Sequence, residues 1–275
     1  MQQALETFRS NIRTNSSDEG PRMFARVLGV KVDAVNMEVA LERIAALLQT
    51  DEKGYVCAVD VHGVMEALHN PSVAHAFARA ALVVPDGTPL AWVGRAQGFR
   101  MNPVPGPELM LRVFGDSRFA NCTHFLYGGK PGVADDLAEA MRRRFRGARV
   151  VGTHTPPFRE LNALEESELV REVDALRPDI VWVGISAPRQ DLWMNRMLPK
   201  LNTKLMFGVG AAFDFNSGRI RSCPPWVKRA GLHWLHRLML EPRRLWRRNL
   251  TNLPFLWHIA LQLSELRDYR VQIDQ

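Results

Sequence analysis

Residues 123–152 read THFLYGGKPGVADDLAEAMRRRFRGARVVG, and this stretch decides the fold. Positions 123–127 form a short run rich in β-branched and aromatic residues, which stops at Gly128-Gly129. Positions 132–146 then carry apolar residues at helical spacing, and 148–152 return to a strand-like run. Strand, helix and strand of these lengths make the crossover unit of a parallel sheet, because parallel neighbours need a connection of a dozen or more residues.

The same alternation extends in both directions. Strand-like runs cover 26–32, 55–61, 81–84, 180–183 and 205–209, and helical patterns cover 37–48, 63–69, 72–79, 108–114, 165–176 and 191–201. The pattern implies an α/β fold of mainly parallel, Rossmann-like sheet layers, spanning residues 25–215. With 46% hydrophobic residues in a chain of 275, a substantial core can form. Residues 1–24 are polar and read as a flexible lead-in without the apolar core of a signal peptide. Past residue 215 the chain turns rich in Arg, Trp and Pro, with helical periodicity broken at Pro224-Pro225, Pro242 and Pro254. Residues 216–275 therefore read as a basic helical appendage.

Several strands end in glycine-bearing turns: Pro85-Asp86-Gly87, Gly128-Gly129, Gly184 and Gly208-Val209-Gly210. Ligands of such sheets gather beyond the carboxyl ends of the strands, which puts these loops on one functional rim. Asp86, on a tight turn, can reach into a cleft as a general base or can bond its own turn. Ser186 and Gln190 precede or open a helix whose free amides favour a phosphate. The 208–214 segment lacks the third glycine of a dinucleotide fingerprint and comes late in the chain, but Asp214 is available to bind a hydroxyl. The sequence has no Asp-X-Asp metal motif, nucleophile elbow or Walker loop. The three cysteines, Cys57, Cys122 and Cys223, have neither disulfide-framework nor metal-site spacing. No metal and no cofactor are expected.

Net charge is +7, and the block from Arg219 to Arg248 is dense in Lys and Arg, with Glu241 as its single acid. Within it Trp and Leu interleave with Arg at helical spacing. That suits an interfacial helix with Trp234 and Trp246 at headgroup depth and Arg243, Arg247 and Arg248 on lipid phosphate. A packed helix with a solvated charge face is the other reading. No run approaches the ~18–20 apolar residues of a spanning helix. Nucleic acid is not an expected partner, since aromatic stacking signatures and groove-reading motifs are missing.

These landmarks occur in a recognisable order. Pro85-Asp86-Gly87 is followed by Pro105-Gly106-Pro107-Glu108-Leu109 and by Tyr127-Gly128-Gly129-Lys130-Pro131-Gly132. Then come Pro178-Asp179-Ile180, Val183-Gly184, Ala187-Pro188-Arg189-Gln190-Asp191, residues 208–214, and Gly231-Leu232-His233-Trp234-Leu235 with Glu241-Pro242-Arg243-Arg244. In this ordered set the chain resembles the WecG/TagA/CpsF glycosyltransferases (glycosyltransferase family 26), over about residues 27–248. The resemblance implies an inverting, metal-independent transfer from a UDP-sugar donor to an undecaprenyl-diphosphate-linked sugar, a polyprenyl-linked acceptor. The setting would be the anionic inner-leaflet surface of a bacterial membrane, and homo-oligomers are left open. Asp86 falls at the family's general-base position. Asp60, Gly87, Gly106, Gly128, Gly129, Gly184, Gln190, Gly208, Gly210 and Asp214 match substrate-binding positions. Arg237 and Arg244 would be brought over the site by the appendage.

The chain also departs from that pattern. Ala58-Val59-Asp60 stands where the family usually has Thr-X-Asn, Pro103 where an arginine is usual (Arg100 lies nearby), and Pro188-Arg189-Gln190-Asp191 replaces Pro-Lys-Gln-Glu. These changes fall where the donor sugar should sit, so N-acetylmannosamine, its uronic acid and a neutral hexose all stay open. Asp60 adds a carboxylate that could shift its neighbour's pKa or bind a donor hydroxyl. The rival from another class is a non-catalytic basic protein that binds membrane or nucleic acid on the same scaffold.

Overall fold

Strand β3 (Gly54–Val59) shows how the sheet is built. Tyr55, Cys57 and Val59 are buried in one apolar cluster, while Val56 is buried in another. The side-chain period of two thus sends alternate residues into two cores, as expected for a sheet covered on both faces. The computed structural model describes residues 22–220 and 252–269. The expected lead-in falls almost wholly outside them, as do Cys223 and the appendage residues Trp234, Arg237, Arg243, Arg244, Trp246, Arg247 and Arg248.

In chain order the elements begin with strands β1 (Phe24–Val27) and β2 (Val30–Asp33) and helix α1 (Met37–Gln49), which precede β3. Helices α2 (Val61–His69) and α3 (Pro71–Arg79) lead to β4 (Leu82–Pro85), followed by α4 (Thr88–Ala96) and α5 (Gly106–Gly115). Next come β5 (Thr123–Gly128), α6 (Val133–Arg144), β6 (Arg149–His154), α7 (Ala163–Leu176) and β7 (Ile180–Gly184). Helix α8 (Arg189–Met197), β8 (Leu205–Gly208) and the short α9 (Ala212–Asn216) close the layers, and α10 (Asn252–Leu263) follows. The main sheet has six strands in the order β4-β3-β8-β7-β5-β6, every pair parallel. The α/β expectation holds, and residues 123–154 are the β5-α6-β6 crossover.

Helices α2, α3, α4, α7 and α8 pack one face of the sheet through residues such as Val64, Phe77, Leu90, Val173 and Met194. Helices α1, α5 and α6 cover the other through Ile44, Leu109 and Leu137. His124 is a buried polar group on β5. It is satisfied by Trp182 Nε1, which donates to its Nδ1 at 3.1 Å, and burial pushes its pKa down to about 4.

Two local expectations are corrected. Residues 26–32 are not one strand: β1 and β2 form an antiparallel hairpin turning at Leu28 and Gly29. Both residues have positive φ, 49° and 87°. A two-residue turn of this kind needs both left-handed and matches the strand twist. The second correction is α4, which the apolar periodicity alone did not mark. Its Pro89 lies in the first turn, where proline's missing N–H costs nothing.

The hairpin is fastened to the sheet by a buried carboxylate. Asp33 accepts from Arg22 at 2.6 Å, from Arg43 at 2.9 Å and from the backbone N–H of Val83 on β4 at 2.8 Å. A buried charge needs such partners, and here they also anchor β4, the strand that leads into Asp86. Helix α10 docks on the same face as α2, with Phe255 and Ile259 buried. No helix among the described residues is long and apolar enough to cross a membrane.

Candidate active site

The β3–β4 register pairs Val59 with Pro85, so Asp60 and Asp86 emerge side by side, one residue past the paired ends. The Asp86 N–H donates to the Val59 carbonyl at 2.7 Å, which extends the ladder by one bond and fixes the turn. Gly87 follows with φ 134° and ψ 156°, a conformation open essentially to glycine alone, and α4 begins immediately. Asp60 caps α2 by accepting the Gly63 N–H at 3.0 Å. Both carboxylates are half-buried. The family motif's Asn would cap as well as Asp, so the fold does not demand the Asp60 charge.

Three strand-end glycines line up next to this pair. Register places Gly208 beside Val183 and Cys57, and Gly184 beside Gly128. A Cβ on Gly128 would lie 2.6 Å from the Gly184 backbone, and its φ is 135°. Only glycine permits that approach. Gly129 then donates its N–H to the Gly184 carbonyl at 3.0 Å. The adjoining loops part here, since β5 leads to α6 on one face and β7 to α8 on the other. Such a divergence is where open α/β sheets hold ligands.

Gln190 lies in the first turn of α8 and is 2% exposed. Its side-chain oxygen accepts the Gly210 N–H at 2.9 Å, which joins the β7 loop to the β8 loop. Ser186 sits at φ 71°, and its carbonyl accepts the Gln190 N–H at 3.0 Å. Gly106 opens α5 so close to Val209 that a Cβ would come within 3.2 Å of the Val209 carbonyl. Asp214 is half-buried in the first turn of α9. Pro103 and exposed Arg100 lie in the connection between α4 and α5.

Five helices that begin on this rim, α4, α5, α6, α8 and the short α9, have no side-chain cap. By contrast α1, α2, α3 and α7 are capped by Asn36, Asp60, Asn70 and Asn162. Uncapped first-turn amides carry partial positive charge and suit an anion. The arrangement can therefore cradle a diphosphate on backbone N–H groups while presenting carboxylates at the β3–β4 end. Among the described residues, no group of three His, Cys, Asp or Glu side chains could hold a metal ion.

One residue of the site gave no signal in the sequence as a buried group. Asp191, next to Gln190, is 1% exposed, and among the described residues its carboxylate has the Cys57 thiol beside it but no nitrogen or oxygen donor from another residue. Burial, with a smaller push from the Asp60 charge, raises its pKa to about 7; the Cys57 thiol acts the other way. Burial and Asp191 in turn raise Cys57. An acid in the first turn of a helix ordinarily reads as a solvated partner of the dipole. Only the tertiary packing of α8 against β3 turns this one inward.

A family model described as the glycosyl transferase WecG/TagA/CpsF family matches residues 25–269. The chain belongs to this family. It is a glycosyltransferase. A similar protein from Bacillus spizizenii is 25% identical over 187 residues, covering 68% of this chain and 70% of its own. One from Staphylococcus aureus is 23% identical over 238 residues, covering 85% and 91%. Each is named N-acetylglucosaminyldiphosphoundecaprenol N-acetyl-beta-D-mannosaminyltransferase. In this WecG/TagA/CpsF member the rim brings together Asp60, Asp86, Gly87, Gly106, Gly128, Gly129, Gly184, Gln190, Gly208, Gly210 and Asp214. The proposed arginine and tryptophan contributors 234–248 lie outside the described residues.

Proposed function

We propose that the protein transfers a sugar from a UDP-sugar to an undecaprenyl-diphosphate-linked acceptor, with inversion and without a metal, in bacterial cell-surface or exopolysaccharide biosynthesis. The observation that carries this reading is the pairing of Asp86, beside Asp60, with a row of uncapped helix starts on the same rim. The names of the two relatives support a lipid-linked acceptor.

In this mechanism Asp86 accepts the proton of the acceptor hydroxyl as its oxygen bonds to the anomeric carbon. The bond from that carbon to the UDP oxygen breaks on the opposite face, which inverts the centre. Charge gathers on the leaving diphosphate, and the uncapped helix starts of the rim would offer it their remaining free backbone N–H groups and the positive ends of their dipoles. Membrane association would come from the basic 216–275 appendage, on the cytoplasmic face of the inner membrane.

The test is turnover of a lipid-linked N-acetylglucosamine diphosphate acceptor with a panel of UDP-sugars. The wild type should use at least one donor, and Asp86→Asn should lower kcat by roughly 10²–10⁴-fold with UDP binding intact. Unchanged turnover would remove Asp86 as base. A wild type inactive with every donor would favour a non-catalytic binding protein.

A further inference from the structure

Phe158 is 98% exposed, more than any other large apolar side chain among the described residues. Single exposed apolar residues are ordinary, so its setting must carry the argument. It sits in the connection between β6 and α7, beyond the carboxyl end of the edge strand β6. That connection is fastened on both sides. Pro156-Pro157 stiffens the approach, and Arg159 makes two 2.6 Å bonds to Glu165. Asn162 and Glu165 close a reciprocal capping box at the start of α7. A ring held out by such a turn has little freedom to fold back onto the surface.

The ring also has a defined companion. The guanidinium carbon of Arg189 lies 5.3 Å from the Phe158 centroid, a cation–π distance. Arg189 is the first residue of α8 and the immediate neighbour of Gln190. Two flat groups thus stand together at the rim, next to the uncapped start of α8, and both remain open to a ligand.

We propose that Phe158 and Arg189 form a stacking platform for the uracil base of the donor nucleotide. The proposal rests on the UDP-sugar reading above and gives the donor a direction along the rim. Asp86 follows β4, and Phe158 follows β6, the two opposite edges of the sheet. Five inter-strand steps at about 4.8 Å put these edges roughly 24 Å apart. The acceptor hydroxyl must meet Asp86, so acceptor and transferred sugar occupy the β3–β4 end. The diphosphate lies over the Gly128–Gly129, Gly184 and Gln190–Gly210 loops, and the base continues toward β6. Aromatic stacking accepts any nucleobase face, and a guanidinium adds to it.

Calorimetric binding of UDP and of inorganic diphosphate tests this. Phe158→Ala should weaken UDP about tenfold, a typical loss of one base–aromatic contact, and leave inorganic diphosphate binding and the melting temperature unchanged. Phe158→Tyr should restore UDP affinity, and Arg189→Ala should weaken UDP more than the loss of its charge weakens diphosphate. In turnover assays Phe158→Ala should raise the donor KM with kcat unchanged. UDP affinity within twofold of wild type in Phe158→Ala overturns the platform, while wild-type turnover of a UDP-sugar in the same assay leaves the transferase reading standing. A wild type that binds no UDP overturns both.

Discussion

The side-chain oxygen of Gln190 accepts the N–H of Gly210 at 2.9 Å, so the loops after β7 and β8 are held as one surface. Gln190 is buried, and a Cβ on Gly208 would lie 3.0 Å from its amide nitrogen. Gln190→Ala should strand the Gly210 N–H and cost about 1–2 kcal/mol. Thermal melts should show a fall of roughly 2–8 °C. If the two loops shape the donor site, donor KM should rise about tenfold. An unchanged melting temperature together with an unchanged KM would sink that role.

Asp60 has two separable duties. As the cap of α2 it is replaceable by Asn, which accepts the Gly63 N–H equally well, but not by Ala. Asp60→Ala should therefore destabilise by about 1 kcal/mol. Asp60→Asn should melt with the wild type yet change the ranking of donors in the UDP-sugar panel, because it removes a charge beside Asp86. An identical ranking for Asp60→Asn would show that the carboxylate serves the helix alone.

Much of this is legible in the sequence itself. Glycine and proline punctuate the chain where the strands end, and residues 123–152 alone carry strand, helix and strand. The order of the rim loops then marks Asp86, Gln190 and Asp214 as one neighbourhood. Other features exist only in three dimensions. The turn at Leu28 and Gly29 hides inside an apolar run, because a leucine with φ 49° leaves no trace in composition. The contact of Gly128 with Gly184 joins residues far apart in sequence through strand register. Asp191 looks like any polar first-turn residue until α8 is laid against Cys57. Phe158 attracts no notice in a Pro-rich connection until its exposure and its arginine are seen together.

The Asp191 carboxyl predicts a pH dependence of stability. Burial raises its pKa from 3.8 to about 7 in the folded protein. Between about pH 4 and pH 7 the unfolded chain releases this proton while the folded chain keeps it. Stability from this group is thus complete below about pH 4 and falls as pH rises, with a slope near 1.4 kcal/mol per unit at most. Asp60 and Cys57 are the titratable groups that act on Asp191 itself, and Tyr55 with Arg79 lies in the same region. Asp191→Asn should flatten this slope in denaturant titrations between pH 5 and pH 8 and gain stability relative to wild type at pH 8. Parallel slopes for the two proteins would mean that Asp191 is ionised throughout.

The last prediction concerns how α10 is held. The Gln262 side-chain oxygen accepts the Leu28 N–H at 2.7 Å, and its amide nitrogen donates to the Arg26 carbonyl at 2.7 Å. Gln97, which caps the end of α4, bonds both the N–H and the carbonyl of the same Arg26, at 3.0 and 2.6 Å. Two glutamine amides thus occupy the outer edge of β1, as a neighbouring strand would, and that edge joins α10 to α4, the helix that follows Gly87. Gln262→Ala removes both of its bonds, and Gln262→Glu removes the donor to Arg26. Each should release α10 by about 1 kcal/mol per lost bond while the six-stranded sheet stays intact. Hydrogen exchange read by mass spectrometry should quicken several-fold over residues 252–263 and at Leu28, with β3, β7 and β8 unchanged. Equal protection of 252–263 in the variants would show that Phe255 and Ile259 alone hold the helix.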